Sequence, residues 1–116
     1  DKTPTWVAAV NPQAGYLWFS LKDPTVLPAT VLWMENHGRH QSPWNGRNCC
    51  IGLEDVCGYF ANGLAESVEE NELSKRGIPT SIPLAPDAPF TVRYIEGAVP
   101  IPAGFDRVGA IRSGSG

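Results

Sequence analysis

The sequence predicts an all-β fold with one short helix, and three of its features carry that prediction. Eleven prolines and twelve glycines divide the 116 residues into short apolar runs, which leaves no room for long amphipathic helices. Several of these runs alternate between larger apolar and smaller or polar residues, the period of a strand. Only residues 64–73 combine an acidic start with a Lys-Arg-Gly sequence just beyond the end, which is typical of a helix.

The predicted strands follow one another between turns that contain proline, glycine or asparagine. Seven segments are predicted as strands: residues 5–10, 16–21, 30–36, Cys49–Val56, 78–84, 90–96 and 107–111. Segment 78–84 contains two prolines, which cannot donate a ladder hydrogen bond, so we expect it at a sheet edge or a strand end. Segment 90–96, FTVRYIE, has the most regular alternation.

The predicted helix over residues 64–73 has recognisable end signals. Ser67 and Glu70 have the spacing of a capping box, and Gly77 follows two basic residues in the position of a glycine stop. The acidic residues of this segment are expected to form a solvated face.

Composition limits the classes of function. Hydrophobic residues make up 42% of the chain and charged residues 18%, enough apolar side chains for one core and too little charge for a disordered chain. The net charge of -3, with no block of lysine or arginine, gives no footprint for nucleic acid, and no apolar run is long enough to cross a membrane. We therefore expect a single domain over residues 1–112, a disordered tail over residues 113–116, and neither nucleic acid nor membrane as a partner.

The three cysteines predict a reducing compartment. Cys49 and Cys50 are adjacent and rarely pair with each other, and Cys57 reaches one of them only if the backbone folds back. Secreted scaffolds of this size usually carry more cysteines in even number. We expect three reduced, mostly buried thiols and a cytoplasmic protein.

Glu54 is the candidate catalytic residue, because of the alternation along Cys49–Val56. On a strand Cys49, Ile51 and Leu53 point one way, toward a core, while residues 50, 52 and 54 point the other way. Two small residues on the face of Glu54 leave open space beside its carboxylate, where a ligand could bind and Glu54 could act as a general base. The alternative is that Glu54 pairs with an arginine and only stabilises a loop.

The loop before that strand supplies candidate ligand-binding residues. Trp44 lies in the turn-rich sequence SPWNGRN, and loop aromatic rings commonly stack on the C–H face of a sugar. Arg39 and Arg47 on either side could donate hydrogen bonds to hydroxyl groups. Alternatively, the Trp44 ring folds back and covers the core.

His37 and His40 complete the candidate set, as hydroxyl contacts or as a general acid. A metal site with Glu35 or Cys49 would need a ligand spacing that this sequence does not show. We expect no metal and no cofactor, and the sequence also has no nucleophile elbow, phosphate-binding glycine loop or dinucleotide fingerprint.

The run CIGLEDVCGYFANG, residues 50–63, resembles the segment of aldose 1-epimerases (galactose mutarotases) that carries their catalytic glutamate. Upstream, HQSPWNGR falls where the family has a sugar-side loop, and downstream LAPDAP is followed by FTVRYIEG, as in the end of the family's domain. The resemblance covers residues 30–96 and fits the C-terminal third of such a domain. It implies that Glu54 corresponds to the base acting on the anomeric hydroxyl.

The same resemblance implies an antiparallel β-sandwich of the galactose-mutarotase-like (supersandwich) type, truncated. In the family the histidine acid lies well upstream of the glutamate, in a position that neither His37 nor His40 matches. We therefore expect a carbohydrate-binding protein with weak or lost epimerase activity, with a small sugar as its ligand.

A truncated sandwich would expose strand edges and an apolar face, and two-fold dimers are the commonest way to cover them. We therefore expect a homodimer. The alternative function is a non-enzymatic β-sandwich that associates with itself or with a partner chain, with Cys49–Val56 and Trp44 in the interface or core.

Overall fold

The computed structural model of the chain describes residues 4–112. They are mostly β, as predicted, with two antiparallel sheets and one α-helix in the described part. The elements in chain order are β1 (Thr5–Asn11), β2 (Tyr16–Lys22), β3 (Ala29–Asn36), β4 (Cys49–Val56), α1 (Leu64–Val68) and β5 (Tyr94–Pro100), with a 3-10 turn at Ser74–Arg76 before β5.

The chain divides into two compact units, one made of Asp1–Pro24 with Thr91–Gly116 and one made of Thr25–Phe90. The single domain predicted over residues 1–112 stays a prediction. The predicted tail, residues 113–116, lies outside the described residues.

The first unit is built on a three-stranded antiparallel sheet in the order β1-β2-β5. Gly15 closes the β1–β2 turn with a left-handed φ of 72° and donates its N–H to the Asn11 carbonyl at 2.9 Å. One face of this sheet is apolar on all three strands. Its residues are Trp6, Ala8, Val10, Leu17, Phe19, Leu21, Ile95, Gly97 and Val99.

Gly97 has a packing role in that face. A Cβ built on Gly97 would lie 3.2 Å from Cζ of Phe19, its partner on β2. The Phe19 ring therefore occupies the space that a side chain at residue 97 would need.

The second unit is built on the β3–β4 hairpin, whose strands pair over their full length from Ala29↔Val56 to Asn36↔Cys49. Cross-strand partners share a face, so Leu32 with Leu53 and Met34 with Ile51 form one face. The predicted alternation along Cys49–Val56 is therefore confirmed. The prediction that this face points into a core is wrong, because Leu32, Met34 and Ile51 are 58%, 75% and 52% exposed.

The helix is shorter than predicted, because a buried side chain takes over the hydrogen bonding after Val68. The Asn71 amide donates to the carbonyls of Glu66 and Glu69, and its oxygen accepts from the N–H groups of Leu73 and Ser74. Such local bonds compete with helical ones. The helix α1 thus ends at Val68, and the 3-10 turn Ser74–Arg76 follows.

The predicted helix ends are half right. Ser67 is not the N-cap: it lies inside α1, where its hydroxyl donates to the Gly63 carbonyl at 2.8 Å. Gly77 does stop the segment, but as the left-handed cap of the 3-10 turn, with φ 77°.

Three predicted strands differ from the observed ones. Segments 78–84 and 107–111 form no strand, and the prolines in the first deprive it of ladder donors. The strand predicted at residues 90–96 begins four residues later, as Tyr94–Pro100, because pairing with β2 sets its register.

No apolar side chain among residues 4–112 is fully buried; the buried side chains there are polar or charged. None of the helices in this part of the chain has the length and apolar character that crossing a membrane requires.

Candidate functional site

Glu54 lies on the face of the β3–β4 hairpin opposite the Leu32–Met34 patch. Its strand partner there is Val31, and the neighbouring pair on the same face is Trp33 with Gly52. The Glu54 side chain is exposed, and its carboxylate makes no ion pair or hydrogen bond with any residue from 4 to 112. It is therefore available as a hydrogen-bond acceptor for a ligand.

Gly52 brings the Glu54 carboxylate and the Trp33 indole close together. A Cβ built on Gly52 would lie 3.3 Å from Oε1 of Glu54 and 3.2 Å from Cε3 of Trp33. Both side chains therefore lean over the bare backbone at residue 52. The open space predicted beside Glu54 is real, but part of it is filled by an aromatic ring from the opposite strand.

Arg39 contacts the rings of two tryptophans. Its guanidinium carbon lies 4.9 Å from the centre of the Trp33 ring and 5.4 Å from that of Trp44, both within cation–π range. Trp44 is 38% exposed, and its ring lies beneath the guanidinium carbon of Arg39.

Glu35 contacts the same arginine through both carboxylate oxygens. The Glu35 side chain is 6% exposed, and its Oε2 lies 3.5 Å from Nε of Arg39 while its Oε1 accepts the Arg39 backbone N–H at 3.0 Å. The buried carboxylate compensates the charge of Arg39 and fixes the direction of its side chain. Arg39 therefore does not pair with Glu54.

The loop over residues 37–48 is organised by its own backbone. Residues His37, Asn45 and Gly46 have left-handed φ values of 58°, 51° and 65°. The Gly46 N–H donates to the Arg39 carbonyl at 2.8 Å, and the Gly46 carbonyl lies 2.8 Å from Nδ1 of His37. These bonds fold the loop so that Trp44 returns over Arg39.

An open groove of about 580 Å³ runs along this face. Its volume lies within the range of small-molecule sites. It is lined by Val31, Leu32, Trp33, Arg39, Glu54, Val56, Phe60 and Ala61. The groove thus combines one carboxylate and one guanidinium with aliphatic and aromatic walls.

Of the predicted site residues, Glu54 and Arg39 line this groove, and Trp44 takes part by stacking on Arg39. His37, His40 and Arg47 do not line it. The His40 ring instead lies beside Gly46, where an added Cβ would be 3.3 Å from its Nδ1. The part predicted for these three residues in ligand binding stays a prediction.

The cysteines are free thiols, but the prediction that they are mostly buried is wrong. Cys49 and Cys50 are exposed at the end of the hairpin where the loop over residues 37–48 joins the two strands. Cys57 is half-buried, and burial raises the pKa of its thiol. Across residues 4–112, no three histidine, cysteine or acidic side chains come together as metal ligands could.

The residues that the sequence analysis missed are Trp33, Glu35 and Phe60. Trp33 and Glu35 share the face of Glu54 only because of the register in which β3 pairs with β4. Alternation along residues 30–36 predicts that residues 33 and 35 lie on the same face of β3. It does not say which face of β4 they meet.

Comparisons of the chain with protein-family models, with curated proteins and with solved structures find no match.

Proposed function

We propose that the unit Thr25–Phe90 binds a small sugar in the groove beside Glu54. The observation that carries this proposal is the unpaired Glu54 carboxylate beside the Trp33 indole, in a groove of about 580 Å³. A sugar presents hydroxyl donors and C–H faces together, and this groove offers an acceptor together with apolar walls.

Each polar group of the groove has a distinct part in that binding. The Glu54 carboxylate accepts hydrogen bonds from ligand hydroxyl groups. Arg39 donates to ligand oxygens with the guanidinium nitrogens that its contact with Glu35 leaves over. Because Glu35 and two indoles hold Arg39 in place, binding loses little side-chain entropy at this residue.

The resemblance of residues 50–63 to aldose 1-epimerases supports the same ligand class and a fold of the galactose-mutarotase-like sandwich type. In an epimerase reaction Glu54 would take the proton of the anomeric hydroxyl, the bond from the anomeric carbon to the ring oxygen would break, and an acid would protonate that oxygen. Neither His37 nor His40 lines the groove to provide that acid. We therefore propose sugar binding with weak or lost epimerase activity, in a cytoplasmic protein.

Titration with D-glucose and D-galactose, followed by saturation-transfer NMR, tests this proposal. The wild-type chain should bind at least one of the two, and Glu54→Ala should weaken that binding by about tenfold or more, because a buried ligand hydroxyl loses its acceptor. Glu69→Ala, which removes another exposed carboxylate of the same unit, is the matched control and should bind as wild type does. Equal affinities of wild type and Glu54→Ala would remove Glu54 from the site.

Self-association is the second candidate function, and the exposure of apolar side chains favours it. Leu32, Met34 and Ile51 form a continuous patch on the hairpin face opposite Glu54, and Leu32 also borders the groove. An exposed patch of this kind is typical of an interface. We propose a homodimer in which this patch is covered.

Sedimentation velocity of the wild type and of a Met34→Ser, Ile51→Ser double variant tests the dimer. The wild type should sediment as a dimer and the variant as a monomer. Leu84→Ser, which changes another exposed leucine outside the patch, should leave the dimer intact. A wild-type chain that is monomeric at all concentrations would contradict the association.

A further inference from the structure

Phe60 lies beside the groove, in the turn that connects β4 with α1. It lines the groove together with Trp33, Arg39 and Glu54. The turn is anchored on one side by the Tyr59 N–H, which donates to the Ser67 hydroxyl at 2.9 Å, and on the other by the Asn62 N–H, which donates to the Tyr59 carbonyl at 3.3 Å. The backbone around Phe60 is thus fixed.

Two features of Phe60 are unfavourable for folding. Its φ of 50° places a bulky residue in the left-handed region, where asparagine and glycine are far more common. Its side chain is 62% exposed, with a tilted contact to the Tyr59 ring at 5.3 Å between ring centres. Residues with a strained backbone cluster at active sites and ligand clamps, where the surrounding structure holds them in place.

The other aromatic rings near the groove are already engaged. Trp33 and Trp44 both make a cation–π contact with the Arg39 guanidinium. Phe60 makes no cation–π contact within residues 4–112, and at 62% it is more exposed than Trp44 at 38%.

We propose that Phe60 is the stacking platform of the groove, so that its ligand is a pyranose ring and not merely a polyhydroxyl compound. This inference rests on the proposed function and adds to it the shape of the ligand. A pyranose places several C–H bonds on one face of a rigid ring, and that face packs on the phenyl ring while the hydroxyl groups reach Glu54 and Arg39. An open-chain polyol has the same hydroxyl groups without the rigid face.

The test compares D-glucose with D-sorbitol on the wild type and on Phe60 variants, by NMR titration. Phe60→Asn accepts the left-handed backbone and lacks the ring, so its unfolding midpoint should equal or exceed that of the wild type, while its affinity for glucose falls by about tenfold. Phe60→Tyr keeps the ring and should bind as wild type does. Phe90→Leu changes an exposed aromatic residue outside this groove and should have no effect on affinity.

Each outcome separates the platform from the proposed function. Preference of the wild type for glucose over sorbitol, lost in Phe60→Asn and kept in Phe60→Tyr, supports the platform. Glucose binding that Glu54→Ala abolishes but Phe60→Asn leaves intact overturns the platform and leaves the proposed function standing. Absence of any glucose or galactose binding by the wild type overturns both.

Discussion

Trp33 lies directly opposite Gly52 in the β3–β4 ladder, and its indole occupies the space that a side chain at residue 52 would fill. This pairing decides the shape of the candidate site. The Trp33 ring that lies there also makes the cation–π contact with Arg39, and Oε1 of Glu54 lies against the same bare backbone. A large residue opposite a glycine thus brings an aromatic ring, a cation and an unpaired carboxylate together.

Gly52→Ala should disturb the site more than the fold. The new Cβ would lie 3.2 Å from Trp33 and 3.3 Å from Glu54, so both side chains must shift by a few tenths of an ångström. We expect sugar affinity to fall by about tenfold, with a loss of roughly 1 kcal/mol in the free energy of unfolding. NMR titration and urea denaturation measure the two effects. Gly58→Ala, whose Cβ would meet its nearest atom only at 3.9 Å, is the control and should bind as wild type does.

Arg39→Lys should lose most of the stacking at the site. A lysine keeps the positive charge but lacks the planar group that contacts the Trp33 and Trp44 rings. We expect a loss of about 1 kcal/mol in the free energy of unfolding, since the Arg39 side chain is half exposed and solvent screens its ion pair. Arg47→Lys, in the same loop, should change the stability by less than about 0.5 kcal/mol. Equal effects of the two substitutions in urea denaturation would contradict a specific role for the stacking.

Asn71→Ala should destabilise the unit Thr25–Phe90 strongly. The buried Asn71 amide donates to two carbonyls and to the Thr80 hydroxyl, and Thr80 in turn donates to the Ser67 carbonyl. Removing the amide leaves several buried groups without partners, and we expect a loss of about 3 kcal/mol. Asn62→Ala, at an exposed position of the same unit, should change the stability by less than about 0.5 kcal/mol in the same denaturation experiment.

Cys57 should react with iodoacetamide more slowly than Cys49 and Cys50. Burial raises the pKa of the Cys57 thiol, so at about pH 8 a smaller share of it is thiolate than in an unburied cysteine. The thiols of Cys49 and Cys50 are exposed. The difference in alkylation rate between Cys57 and the two exposed cysteines should narrow as the pH rises toward the folded pKa of Cys57. Mass spectrometry of peptides after timed alkylation measures all three rates in one sample. Equal rates at pH 8 would contradict a lower reactivity of Cys57.

The same shift gives a pH dependence of stability. The pKa of the Cys57 thiol is higher in the folded than in the unfolded chain, so the folded state holds its proton longer. The contribution of Cys57 to stability is complete below the unfolded pKa and is lost as the pH rises through the folded pKa. In Cys57→Ser this alkaline loss of stability should be smaller than in the wild type.

The first four strands could be predicted from the sequence because each combines regular alternation with a turn signal beyond its end. The strand over residues 49–56 was predicted with its observed bounds. The last strand lies later than the alternation predicts, because FTVRYIE and YIEGAVP, the sequence of β5, are both plausible strands and only pairing with β2 selects the second. Pairing of this kind depends on residues far apart in sequence.

The sequence predicts only part of the site, because contacts between residues far apart in sequence decide the rest. Glu54, Arg39 and Trp44 could be singled out by their chemistry and by the loop in which two of them lie. The carboxylate that pairs with Arg39 could not be predicted, because the fold of the loop over residues 37–48 decides whether Glu35 or Glu54 reaches the guanidinium. The exposure of Phe60 likewise follows from a left-handed φ that no local sequence signal for a bulky residue predicts.

The proposed sugar site lies on the face of the hairpin that carries Glu54. The most direct test is heteronuclear NMR of the labelled chain during titration with D-glucose and D-galactose, which maps each shifted amide onto the sequence. We predict that shifts concentrate at Trp33, Arg39, Glu54, Phe60 and Ala61, the residues around the groove. Shifts confined to Met34 and Ile51 on the opposite face, or no shifts with either sugar, would contradict a sugar site in the groove.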